Sequence, residues 1–303
     1  MNKMNQLQRN AIPTLAIALV LIALLVSLAG AVSDEAKKMY NDGIKAKQAG
    51  NLEEAILSYI GAMEKDETYA DPCFSLGAIY FEQKKYDKAL EMFKEATKRD
   101  ETNAEAFANL GRVQYKLRQY IEAEGAFSTA LDLDSSASEY YNDLGKTYNK
   151  ERKYTKAISA FEKFHELSGG NYASWYLLGK SYKKTDKISK AIAAYKKSVE
   201  FKSSYSYPHS ALGSVYLSQE KFLSAAGEFQ NVLKINPKNY RAAYNYAIAI
   251  QSKDPEDYNT NIKNWESFVK IAKKNPRVRK QMISTAKETI KNLKKAQEQA
   301  DLQ

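Results

Sequence analysis

The chain has very little with which to build a covalently stapled or metal-held scaffold. Among 303 residues there is one cysteine, Cys73, and there are two histidines, His165 and His209. A lone thiol forms no intramolecular disulfide, and a structural zinc site draws four ligands from Cys and His, so both frameworks are excluded. No P-loop, G-x-G-x-x-G, G-x-S-x-G or H-E-x-x-H string occurs, so the recognisable nucleotide, hydrolase and zinc-protease motifs are missing. Glycine (13) and proline (6) are sparse, whereas an all-β chain needs many of both for its tight turns. Helix is therefore expected. Acid is in short supply too: 36 Asp and Glu against 46 Lys and Arg leave a net charge of +10. At 44% hydrophobic residues, the chain has enough apolar material for a core and does not have the composition of a disordered protein.

One hydrophobic run stands apart. Ala11 to Ala31 carries no charge, and the ten residues before it hold Lys3 and Arg9 but no acid. As a helix this run would reach about 31 Å, enough to cross a hydrocarbon core of roughly 30 Å. Two readings stay open: a secretory signal with Ala29-Gly30-Ala31 as an A-x-A cleavage site, or a retained single transmembrane anchor. Either one places the rest of the chain outside the cytoplasm, in a periplasm or cell envelope. No cysteine lies near the cleavage point, so lipidation is not expected. Without residues 1–31 the net charge is still +8.

The remainder is periodic. Gly43, Gly77, Gly111, Gly145, Gly179 and Gly213 are each 34 residues apart, with Ala247 in the seventh place. Twelve residues after each glycine comes Ala55, Ala89, Ala123, Ala157, Ala191 or Ala225, and four further on an aromatic: Tyr59, Phe93, Phe127, Phe161, Tyr195 or Phe229. Leu76, Leu110, Leu144, Leu178 and Leu212 precede the glycine, and Tyr80, Tyr148, Tyr182 and Tyr216 follow it by three, the spacing of one helical face. The period predicts two short antiparallel helices per repeat. The small columns mark close helix crossings, and the aromatic column is expected to fill the space between neighbouring repeats. One such repeat cannot bury its apolar face alone, so the repeats must stack.

These columns resemble the tetratricopeptide repeat (TPR) family, whose pattern L-G-x-x-Y then A-x-x-x-F appears here as Leu76-Gly77-x-x-Tyr80, Ala89 and Phe93. The resemblance implies an all-α fold, an α-solenoid with units near 36–69, 70–103, 104–137, 138–171, 172–205 and 206–239. A degenerate seventh unit, 240–276, carries an insertion around Asp254–Asn261. The family's late proline is present only as Pro237, Gln114 replaces a tyrosine, Phe164 fills a usually small position, and Ser168-Gly169-Gly170 predicts a different turn between units four and five. From 277 to 303 the period stops. Val278, Met282, Ala286, Ile290 and Leu293 mark one face of a helix that is expected to cap the solenoid.

Cys73 and His209 occupy a column otherwise held by Met39, Phe107, Tyr141 and Trp175, so both are expected to be packing residues; His165 has no acid or Ser beside it in a motif. Most of the 22 tyrosines, with Trp175 and Trp265, fall at core places. No enzyme, cofactor or metal site is expected. What the resemblance does imply is a concave groove, lined by the first helix of each repeat, that holds a peptide. Residues one, four and five after the glycine would face it. In units three to five these are Arg112, Tyr115 and Lys116; Lys146, Asn149 and Lys150; and Lys180, Lys183 and Lys184, seven basic and none acidic. Asn142 and Tyr176 complete the candidate set. The like charges of Arg112, Lys146 and Lys180, in 34-residue register, invite an anionic partner, although a lysine-rich helix face is equally what any solvated helix shows. Asp71, Glu105 and Glu139 begin the first helices of units two to four and would neutralise one edge. The expected function is a non-catalytic protein-interaction scaffold of the cell envelope with an acidic protein or peptide partner. The alternatives are a membrane-anchored assembly factor whose C-terminal helix is the partner site, or a basic nucleic-acid-binding protein, for which no motif accompanies the charge.

Overall fold

The computed structural model describes residues 32–276 and 278–302; the expected signal or anchor segment, residues 1–31, lies outside the described residues. Among the described residues there are fifteen helices and no strand, and none of these helices is long and apolar enough to cross a membrane. The chain divides at Ser135/Ser136 into two units. The first holds α1 (Asp34–Gln48), α2 (Leu52–Lys65), α3 (Ala70–Glu82), α4 (Tyr86–Arg99), α5 (Ala104–Lys116) and α6 (Tyr120–Leu133). The second holds α7 (Ser138–Lys150), α8 (Tyr154–Ser168), α9 (Tyr172–Lys184), α10 (Ile188–Phe201), α11 (Ser206–Ser218), α12 (Phe222–Ile235), α13 (Tyr240–Lys253), α14 (Tyr258–Lys273) and α15 (Lys280–Ala300). Each unit is a stack of helix pairs, the architecture of an α-solenoid.

The glycine column shows how a pair is held. A Cβ placed on Gly77 would lie 2.9 Å from Cδ1 and Cε1 of Phe93, and one on Gly145 would lie 2.9 Å from Cε1 of Phe161. Gly43, Gly111, Gly179 and Gly213 meet Tyr59, Phe127, Tyr195 and Phe229 in the same way. Each ring lies on the glycine of its own pair and also shares a core cluster with the first helix of the next unit, Tyr59 with Leu76 and Ile79, and Phe93 with Leu110 and Val113. The missing methyl makes room for the ring. The alanines of the second column are fully buried, so the paired helices can approach closely there as well.

Within a pair the turn repeats with equal regularity. Gly50, Lys84, Arg118, Arg152, Asp186 and Glu220, again 34 residues apart, all have φ between 56° and 83°. The amide of Lys84 donates to Phe81 O (2.9 Å) and that of Lys85 to Tyr80 O (2.8 Å), a Schellman closure of α3. Only one of the six positions uses glycine. At the other five the closure outweighs a left-handed conformation that costs about 1 kcal/mol. The seventh pair departs from this. Its inserted residues lengthen the turn, and Asn261 occupies the place of the column alanine, fully buried, with its Nδ2 donating to Asp254 O (2.8 Å). Trp265 takes the place of the column aromatic, 5% exposed, and its Nε1 donates to Gln251 Oε1 at 2.7 Å.

The turn between α8 and α9 also differs. α8 ends in Gly169 at φ 75°, whereas α2, α4 and α6 end in the extended residues Asp66, Asp100 and Asp134. At the first two of these, Asp-x-Thr turns replace the family's proline: the amides of Thr68 and Thr102 donate to Asp66 and Asp100 (2.9 Å each). The second unit closes on α15, whose Ala286 and Leu293 are buried, with Met282, Ile283 and Ile290 packed against a core that includes Trp265 and Phe268.

Candidate partner-binding face

Positions i, i+3, i+4 and i+7 of a helix share one side. On α9 this groups Tyr176, Lys180 and Lys183; on α11, Tyr207, Ser210 and Ser214; on α13, Arg241 and Asn245. Ring contacts join the first two helices, and a shared cavity relates the second to the third. The rings of Tyr176 and Tyr207 lie 5.8 Å apart, and Tyr205 stands edge-on to Tyr176 (5.7 Å) and Tyr172 (4.9 Å) and 5.3 Å from Tyr207. Burial raises the Tyr176 hydroxyl above the usual phenol range and pushes that of Tyr205 up to about 12, while Tyr207 is 60% exposed. The cluster thus has a half-buried base and an open edge.

Beyond Tyr207 a cavity of about 350 Å³ opens between α11 and α13, lined by Ser210, Ser214, Asn239, Arg241 and Asn245. The serine hydroxyls donate within α11, Ser210 to Ser206 O (3.2 Å) and Ser214 to Ser210 O (2.8 Å), and their remaining lone pairs can accept. Asn239 caps α13 through its Oδ1 (3.1 Å to the amide of Ala242), which leaves its NH₂ free to donate. A lining of neutral donors and acceptors with one guanidinium suits a main-chain segment that carries acid.

The charged candidates do not all behave alike. In the first unit Arg112 donates to Asn109 Oδ1 (2.9 Å), Tyr115 stands edge-on to Tyr120 at 5.5 Å, and Lys116 is exposed. In the second, Lys146 is paired with Asp143 at 2.9 Å. The structure places Asn142 and Asn149 inside, 3% and 7% exposed, instead of on an open face. Asn142 donates to Glu139 Oε2 (3.0 Å), and Asn149 to Ser181 Oγ (2.9 Å) where α7 packs on α9. Lys150, Lys183 and Lys184 are exposed and Lys180 is half-buried. Among the described residues Lys180, Lys183 and Lys184 have no carboxylate partner. The three-charge register is thus partly neutralised, and the unopposed positive charge of this set gathers on α9.

Sequence reasoning followed charge and so passed over the Tyr207–Asn245 region, which is largely neutral. A signal was nonetheless there. The column that reads Asp71, Glu105 and Glu139 continues as Ala173, Tyr207 and Arg241, so acid disappears from it at α9.

The remaining titratable residues are structural. Cys73 is fully buried, and burial pushes its thiol up to about 11. His209 is buried but does not pack as a hydrophobe: its Nδ1 lies 2.6 Å from Glu228 Oε2 and its Nε2 3.0 Å from Ser203 O. Both partners are acceptors, and the Glu228 hydrogen bond raises the pKa above the usual imidazole value. His165 does meet a serine, Ser174 Oγ, at 2.9 Å. Ser174 is fully buried and engaged in the capping box of α9, and His165 Nδ1 has no partner, so no acid orients the imidazole and the serine hydroxyl is out of a substrate's reach. Stacked 3.8 Å from Trp175 and desolvated, His165 is pushed down to about 4.

Family models described as TPR repeat and tetratricopeptide repeat match residues 77–117; 108–172 and 210–256; and 172–205. No curated protein matches the chain. Among solved structures, the chain is similar to Pseudomonas aeruginosa PilF (20% identity, TM-score 0.57, 73% of this chain and 98% of that one). It is also similar to MamA from Desulfovibrio magneticus RS-1 (22%, 0.52, 58% and 99%) and to YrrB, described as a TPR protein with an unusual peptide-binding site (22%, 0.54, 60% and 93%). At these identities the likeness is one of fold.

Proposed function

This chain is built of tetratricopeptide repeats, and on that premise we propose that it is a non-catalytic scaffold of the cell envelope that holds an acidic partner protein on the first helices of its second unit. The observation that carries the proposal is the joined face of α9, α11 and α13: unpaired lysines, then an open tyrosine edge, then a cavity of amides and hydroxyls. Each part has a role. Tyrosines offer large contact area at low entropic cost, and the Ser and Asn groups match an extended main chain. A hydrogen bond to a charged group is worth about 1.5–3 kcal/mol when water is excluded, against about 0–1 for an exposed ion pair. Lys180, half-buried, would therefore contribute more to affinity, and Lys183 and Lys184 more to encounter. The peptide-binding site in the description of YrrB supports the class of ligand. Placement in the envelope rests on the Ala11–Ala31 pattern.

Peptides selected from a random library on the immobilised chain should be acidic. Changing Lys180, Lys183 and Lys184 together to Ala should weaken the best of them at least tenfold, about 1.4 kcal/mol. Replacing Lys287, Lys291 and Lys295 should leave affinity unchanged. Selection of basic peptides, or equal loss from both triples, would overturn the reading. For the address, intact mass from the native host should begin at Val32, or Met1–Ala31 should be found in the membrane pellet; an unprocessed chain in the cytosol would exclude export.

A further inference from the structure

The charge of this chain is concentrated near its end. Residues 261–303 carry eleven Lys and Arg against Glu266, Glu288, Glu298 and Asp301, a net +7 of the total +10. Two structural features hold much of it. The first is a cavity of about 560 Å³ walled by Ile271 and Pro276 and bordered by Lys238, Lys270 and Lys274. Lys238 comes from the turn after α12, Lys270 from the last turn of α14 and Lys274 from its C-cap, so separate elements bring three ammonium groups to one apolar hollow. The second is α15. Its Ala286 and Leu293 face the core, while Lys280, Lys287, Lys291 and Lys295, at intervals of seven, four and four, form one exposed stripe about 22 Å long. Lys294, beside the stripe, is tied to Glu266 at 3.1 Å. None of the other seven lysines has a carboxylate partner among the described residues.

Like charges four residues apart on a helix repel and lower stability, so an unpaired array of this kind invites an anionic surface. We infer that this end of the second unit docks on a membrane containing anionic phospholipid. Clustered lysines are attracted to such a surface roughly in proportion to their number. The hollow adds what a free anion would not need, an apolar wall next to the ammonium groups, fitted to a phosphate that is attached to a lipid body. Lipid is favoured over nucleic acid because the stripe carries no aromatic side chain for base stacking. The core-packed side of α15 also keeps the helix from entering a groove. The α15 stripe is carried by a helix outside the α9–α11–α13 face, whereas Lys238 of the hollow adjoins Asn239 of that face's cavity.

The test mixes the full chain with sedimentable vesicles of phosphatidylcholine alone or phosphatidylcholine with phosphatidylglycerol. The Ala11–Ala31 run can partition into both, so the readout is the difference between them. Affinity should be about tenfold higher for the anionic vesicles and should fall as salt shortens the Debye length from about 10 Å at 0.1 M. Lys280, Lys287, Lys291 and Lys295 changed together to Gln, and separately Lys238, Lys270 and Lys274 to Gln, should each lower that preference at least about threefold, with helical circular dichroism retained. Lys183→Gln with Lys184→Gln, on the partner face, should leave it unchanged. Equal binding to both vesicles, or a preference that both sets of variants keep, overturns the inference. So does duplex DNA that binds more tightly than anionic vesicles and is lost in the same variants, which would make this a nucleic-acid surface.

Discussion

Gly77 and Gly125 both lie inside helices, α3 and α6, and the same Gly→Ala change should act on them with opposite sign. At Gly125 an added Cβ meets nothing within 4 Å, so only the helix-propensity gain of about 0.8–1 kcal/mol operates. At Gly77 the methyl would sit 2.9–3.0 Å from Cδ1, Cε1 and Cγ of Phe93. That ring is 1% exposed and cannot swing into solvent. Overpacking of this kind costs about 1–3 kcal/mol, enough to cancel the propensity gain and in most of that range to exceed it. The two variants should differ by about 1–3 kcal/mol, some 2–4 °C in midpoint per kcal/mol for a chain of this size. Urea and thermal unfolding followed by far-UV circular dichroism would measure this, with midpoints compared directly because stacked repeats need not unfold in a single step. Phe93→Leu in the Gly77→Ala background should recover part of the loss, a coupling of about 0.5–3 kcal/mol. If Gly77→Ala stabilises as much as Gly125→Ala, the ring-on-glycine account of the pair is wrong.

The two histidines should respond to pH in opposite directions. His209 has a raised pKa in the folded chain, owing first to the Glu228 hydrogen bond. Its contribution is therefore full below about 6.5, the unfolded value, and is lost as pH rises through the folded value. Glu228→Gln should destabilise most at pH 5.5 and least at pH 9, measured by unfolding midpoints. His165 is held near 4 by burial, so the unfolded chain binds the proton first, and stability falls as pH drops from about 6.5 toward 4. His165→Phe should flatten that acid limb, and an imidazole NMR titration near 6.5 in the folded chain would refute the assignment. Asn261→Ala restores the column alanine but removes the hydrogen bond to the exposed Asp254 carbonyl, so it should cost about 0.5–1.5 kcal/mol. Denaturation showing a neutral or stabilising effect would mean that the longer turn does not depend on this hydrogen bond.

The repeat was legible in the sequence because its determinants are local. A 34-residue period, small residues in fixed columns and apolar side chains at i, i+3 and i+4 belong to each helix pair and need no knowledge of distant contacts. The TPR assignment, the helical class and the odd turn at Gly169 follow from that pattern alone. Tertiary structure decided everything that depends on which neighbour arrives. Gly77 and Gly125 read alike in a string, yet only one has a ring above it. His209 stands in an apolar column, and its partner Glu228 lies 19 residues away on the second helix of the pair. The cavity between α11 and α13 is lined by serines and asparagines beside Arg241, and the loss of acid from the Asp71 column is the trace it leaves in the sequence. Periodicity fixes which side a residue takes on its own helix; only packing determines whether that side is filled, neutralised or left open to a partner.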